Sequence, residues 1–164
     1  MSKGHDMHDE RGFVGFSLGD VHYAVPIGRV REIVNPLPLT ELPHAPAAVA
    51  GVADHRGEVV AVVDLRARFG LPRQADQRRT KWVLVDLQGR TVGLRVDNVT
   101  EVFGQAGAPL RPAPELGAGD DVRGLAGVIT HEGRMKFVLD LDRIESLTRG
   151  LQEPNLLGAA GGSA

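Results

Sequence analysis

The 164-residue chain predicts an all-β fold built as a duplicated pair of small barrels, and three observations carry that expectation. First, residues 50–69 (AGVADHRGEVVAVVDLRARF) align without a gap on residues 126–145 (AGVITHEGRMKFVLDLDRIE) at an offset of 76, with eight identical positions that include Gly51/Gly127, His55/His131, Gly57/Gly133 and Asp64/Asp140. Second, YAVPIGRVREI (23–33) echoes VGLRVDNVTEV (92–102), matching Val30/Val99 and Glu32/Glu101. Third, short alternating apolar runs recur with glycine turns between them, the pattern of small barrels. A stacked solenoid requires three or more copies, so two copies favour paired barrels with function on the surface between them.

Taken in order, residues 1–11 are charged and nearly free of apolar content and read as a disordered tail. Val14, Phe16 and Leu18 alternate, Gly19-Asp20 turns the chain, and Val21, Tyr23 and Val25 alternate back, which predicts a hairpin. Pro26 followed by Ile27, Val30, Ile33 and Val34 at helical spacing predicts about two helical turns. NPLPLTELPHAP contains four prolines and reads as an ordered loop anchored by Leu37, Leu39 and Leu42. GVADH and VVAVVDL form a second hairpin about Gly57, and the nearly continuous apolar return strand implies burial on both faces. LRARFG is a short helix stopped by Gly70 and Pro72, and RQADQRRT (73–80) reads as a linker. The second half repeats the plan with WVLVDL, QGR and VGLRVDNVTEVF, then LAGVITH, EGR and MKFVLDL. A terminal helix carries Leu141, Ile144, Leu147 and Leu151 on one face. The expected organisation is one domain over 12–150, with barrels at approximately 12–72 and 80–150, and a flexible tail over 151–164.

Composition removes several function classes. With 19 Lys+Arg against 21 Asp+Glu the net charge is −2, which offers no basic field for a phosphate backbone. No cysteine is present, so disulfides, zinc thiolates and thiol chemistry are excluded, and a cytoplasmic protein is the default expectation. No apolar run has the ~18 residues of a membrane span. GAPLRPAPELGAG (107–119) lacks the Lys-Ser/Thr pair of a phosphate loop, and His131-Glu132 leads to Gly133-Arg134 rather than to a second histidine. The six histidines are scattered, so no metal and no cofactor is expected. His55 and His131 read as turn residues that tolerate unusual backbone angles.

After FSLGDVHYAVPIGRVREIV, the motifs LP-x-AP, GV-x(3)-RG-x-V, VVDLR-x-x-FGL, VG-x-x-VD-x-V-x-EV and RPAPE occur in this order, and the likeness they carry runs from about residue 12 to residue 148. As a set the chain resembles the CheW family of bacterial chemotaxis coupling proteins. The resemblance implies two pseudo-symmetric five-stranded barrels of the Src-homology type, with short helices, a C-terminal helix and a hydrophobic groove between the barrels. It implies no catalysis. The expected role is an adaptor joining the regulatory domain of the histidine kinase CheA to the cytoplasmic tips of chemoreceptors, in arrays at the inner face of the membrane. An alternative is a CheW-like scaffold in a non-swimming chemosensory pathway, such as surface motility. A barrel binding nucleic acid or a small ligand is more remote, since only five Phe, one Tyr and one Trp are present.

The resemblance also names candidate partner-binding residues: Val30, Glu32, Ile33, Gly51, His55, Arg56 and Gly57. Spacing alone assigns Val30 and Ile33 to core packing. The family usually carries Asn-Leu-Arg-Gly at the hairpin turn, whereas this chain has Asp54-His55-Arg56-Gly57. Arg56 is either a solvated turn residue paired with Asp54, or the arginine that lies beside the groove near Glu32. The second reading is favoured because Gly57 explains the turn and leaves Arg56 unexplained.

Overall fold

Strands β1 (Gly12–Leu18) and β2 (Val21–Pro26) form the first hairpin, with Val14 opposite Val25 and Phe16 opposite Tyr23. The computed structural model describes residues 12–105, 108–112 and 124–148; the tails and Leu151 lie outside them, as does the side chain of Leu147. After a single 3-10 turn (Ile27–Arg29) the chain enters β3 (Val30–Val34). The helix expected over this segment is therefore corrected. Val30, Ile33 and Val34 are β-branched, and β3 gains a ladder against β6 (Lys81–Leu87), with Val30 opposite Val85, a register shift between Val30 and Glu32, and Val34 opposite Trp82. Strands β4 (Val49–His55) and β5 (Glu58–Asp64) make the next hairpin, followed by the short helix α1 (Leu65–Arg68).

The second half supplies β6, β7 (Arg90–Val96), β8 (Asn98–Gly104), β9 (Leu125–His131), β10 (Arg134–Leu139) and helix α2 (Leu141–Thr148). Among the described residues, ten strands form two five-stranded sheets, one in the order β3-β6-β7-β5-β4 (sheet I) and the other β8-β1-β2-β10-β9 (sheet II). The sheets do not follow the repeats. Each half donates its first hairpin to the sheet built on the other half's last three strands, so the division at 12–72 and 80–150 is corrected by the strand order. The joins are parallel: β5 on β7 and β10 on β2.

Packing explains the exchange. Strand β1 turns Phe13 into a small cluster inside sheet II with Ala24, Phe103, Ile129 and Val138, and turns Val14, Phe16 and Leu18 into a large cluster between the sheets. Strand β6 does the same, with Trp82 and Leu84 inside sheet I and Val83, Val85 and Leu87 in the shared core. The exchanged hairpins are buried on both faces, and one cooperative core joins both halves. Among the described residues no helix is long and apolar enough to cross a membrane.

Three expectations about the connectors change. The linker 73–80 is tied down: Arg95, itself buried, donates to the Gln74 carbonyl at 2.7 Å and to Asp76 at 2.8 Å. Leu39, expected as an anchor, is exposed, while Leu37 packs against the cluster in sheet I. The positive backbone angles of the hairpin turns fall at Arg56 (φ 54) and Glu132 (φ 51), each followed by a positive-φ glycine, while His55 and His131 end their strands. Two successive positive φ values match the twist of the flanking strands.

The repeat signature has structural causes. Asp64 caps α1 by accepting from the Arg66 N–H at 3.0 Å, and Asp140 accepts from the Asp142 N–H at 3.1 Å at the start of α2. The leucines that follow, Leu65 and Leu141, are buried. Gly51 and Gly127 allow a close backbone approach: a Cβ there would clash with the carbonyl of Thr40 or Arg111. Those two residues form isolated bridges to Val52 and Val128. Because Thr40 continues from β3 and Arg111 from β8, each bridge joins the two edges of its sheet through a loop.

Candidate functional site

Opposite the loop bridges, each sheet is also joined edge to edge by side chains. In sheet I, Glu32 on β3 reaches the β4–β5 hairpin: Arg56 Nη2 donates to Glu32 Oε2 at 3.0 Å, and His55 Nε2 lies 3.2 Å from Oε1. Arg56 is 74% exposed, and the other two side chains are more sheltered, His55 at 15% and Glu32 at 34%. Asp54 does not pair with Arg56 but accepts from the Gly57 N–H at 2.8 Å, closing the turn. On the neighbouring position of β3, Arg31 pairs with Asp86 at 3.2 Å and donates to Thr91. Arg31, Glu32, His55, Arg56 and Thr91 surround an open cavity of about 210 Å³, lined also by Glu58 and Leu84.

The equivalent place in sheet II has different chemistry. Glu101 on β8 is paired with Lys136 on β10, at 2.5 Å, and Lys136 is 1% exposed. The ammonium also lies 5.2 Å from the centre of the Phe103 ring. Donation from Lys136 holds the Glu101 carboxyl below its ordinary range, with the Coulomb attraction of Lys136 and of His131 adding to it. His131 stacks on Phe103 with centroids 4.4 Å apart and stands 3.9 Å from Glu101. His22 faces Arg134 on the same sheet. Burial pushes its imidazole down, and Arg134 and Lys136 push it further. Glu101, His131 and Glu132 have the composition of a cation site, but Glu101 already carries the Lys136 ammonium.

The seven candidate residues do not form one surface. Glu32, His55 and Arg56 meet, and Gly57 (φ 85) shapes the turn that presents them. Ile33 is exposed beside them on β3. Val30 packs against the shared core, and Gly51 lies at the far end of β4 under Thr40.

Sequence reasoning missed a second feature. The exposed large apolar residues fall mostly in pairs related by the duplication: Ile33 and Val102, Val59 and Met135, and Leu39 and Leu110 just before the two bridging residues. Val59 opens the run expected to be buried on both faces, yet it is exposed, because its strand begins beyond the edge of the core. Only the repeat alignment, read together with burial, reveals the pairs. The turns between them carry inverted charges, with Arg56 and Glu58 in one hairpin and Glu132 and Arg134 in the other.

The geometry defines a duplicated β protein with paired exposed apolar residues and a carboxylate-centred latch on each sheet. A family model described as "CheW-like domain" matches residues 12–148, and the chain belongs to that family. It is 37% identical over 135 residues to the chemotaxis protein CheW of Rhizobium meliloti (strain 1021), covering 82% of this chain and 86% of that one. It is 32% identical over 130 residues to the protein FrzA of Myxococcus xanthus, covering 79% and 80%. Among solved structures it resembles the scaffolding protein TtCheW from Thermoanaerobacter tengcongensis, with a TM-score of 0.72 at 27% identity, covering 80% of this chain and 85% of that one.

Proposed function

We propose that the chain is a non-catalytic coupling protein that joins the regulatory domain of the histidine kinase CheA to the cytoplasmic tips of chemoreceptors. It works in the cytoplasm, at receptor arrays on the inner face of the membrane. The observation that carries this reading is the duplicated set of exposed apolar residues: Ile33, Leu39 and Val59 in or beside sheet I, and Val102, Leu110 and Met135 in or beside sheet II. An adaptor must hold two surfaces at once, and a few apolar anchors ringed by charges supply most of the affinity of such contacts. The inverted charges make the two hairpins non-equivalent, so like-charge contacts disfavour a partner on the wrong hairpin. Arg56, exposed on its hairpin turn, is the group best placed for a directed contact to a partner carboxylate.

Titration calorimetry against the kinase regulatory domain tests the adaptor role. Binding is expected at roughly micromolar concentrations, in the range of transient signalling contacts, and Arg56→Ala weakens it while leaving the fold intact. Absence of heat with folded protein on both sides sinks the adaptor reading.

A further inference from the structure

Glu101 and Glu32 occupy equivalent positions, but their cations differ in one decisive respect. Lys136 is buried and has nowhere else to go. In sheet I the position equivalent to Lys136 is Val60, so among the described residues no buried ammonium serves Glu32, and its two oxygens are divided between His55 and Arg56. The imidazole is sheltered and held in place, whereas the guanidinium sits on an exposed turn with room to move.

We propose that His55 is the positioning residue of this site: it holds Glu32 against the hairpin and, on taking a proton, releases Arg56 to a carboxylate of the bound partner. The partner's role rests on the adaptor reading above; the latch itself does not. While His55 is neutral, the single charge of Glu32 is balanced by Arg56 alone. Among the described residues, the other charged groups around the ring are Arg31 on β3, its partner Asp86 on β6, and Asp54 and Glu58 on its own hairpin; Leu84 and Thr91, from β6 and β7, are uncharged. Arg31 is held by Asp86 and Thr91, and Asp54 accepts from the turn N–H. A proton on His55 therefore places two cations on one carboxylate. Their mutual repulsion moves the more mobile one, which is Arg56. Histidine is the side chain that ordinarily changes charge between pH 5 and 8.

The test measures affinity for the kinase regulatory domain from pH 8 to pH 6. Wild type is expected to tighten by about two- to fivefold, the scale of one partly exposed ion pair. His55→Gln keeps an N–H toward Glu32 but cannot take a proton, and loses the pH dependence. A flat wild-type profile, or a profile that His55→Gln retains, overturns the proposal. Nitrogen-15 NMR of the Arg56 guanidinium in the free chain separates this outcome from failure of the adaptor reading. Its signal is expected to report a clamped side chain at pH 8 and a free one at pH 6 in wild type, with no such change in His55→Gln. If the kinase domain does not bind but Arg56 follows pH in this way, the latch stands and the partner assignment falls. An Arg56 signal indifferent to His55 overturns the latch whatever the kinase domain does.

Discussion

Replacing Glu101 by glutamine removes the counter-charge of Lys136, a side chain only 1% exposed. Stranding one member of a buried ion pair costs about 3–5 kcal/mol. Two features of this site lower that figure. Glu101 is itself 34% exposed, so water already screens the pair, and the Phe103 ring 5.2 Å from the ammonium offers partial compensation. The expected loss is about 2–3 kcal/mol, and at roughly 3–5 °C per kcal/mol for a domain of this size Tm falls by about 6–15 °C. Glu32→Gln changes the same residue in the other repeat, where the partners are a 74% exposed arginine and a histidine. Its expected cost is about 0–1 kcal/mol. Thermal and urea denaturation followed by circular dichroism measure both. The double variant Glu101→Gln/Lys136→Met should recover most of the loss, since an apolar residue, Val60, already fills the equivalent position of sheet I. Equal losses in the two single variants would refute the distinction between a buried latch and an exposed one.

Further outcomes follow from other parts of the fold. Gly51→Ala and Gly127→Ala force a Cβ against the Thr40 and Arg111 carbonyls, and each should destabilise by about 1–3 kcal/mol, read in the same denaturation assay. Gly57→Val places a β-branched residue at φ 85 and should cost more than about 1 kcal/mol, whereas Arg56→Ala one residue earlier leaves Tm nearly unchanged. Acid should destabilise in two stages. The folded state resists protonation of His22, so stability declines as pH falls below the ordinary value near 6.5. The Glu101 carboxyl is depressed, so its contribution is present above about 4.5 and is lost as pH drops through the folded value. His22→Gln should abolish the upper stage of a Tm-against-pH curve and Lys136→Met the lower one.

Much of the site lay within reach of the amino-acid string, because duplication marks the positions under constraint. Glu32, His55 and Gly57 recur as Glu101, His131 and Gly133, and the contact of Arg56 with Glu32 followed from the resemblance. The wrong expectation at Ile27–Val34 has a simple cause. Two turns of helical spacing are also compatible with a strand, and the ladder offered by β6, fifty residues away, outweighs local periodicity. The turn strain was placed one residue early, at the histidines, because hairpin register depends on where the facing strands pair.

By itself, then, the sequence determines that the chain is a twice-repeated β protein, that it is built of hairpins about glycine turns, and that LRARFG is a short helix, since all of these are set by local backbone preference and side-chain pattern. Tertiary structure alone decides that the halves exchange hairpins, that Val59 and Met135 face outward, and that Lys136 is sealed inside while Arg56 remains in water. The physical reason is that strand partners and burial are properties of contacts between distant segments. An apolar residue on a strand has the same letter whether the neighbour that covers it is present or absent.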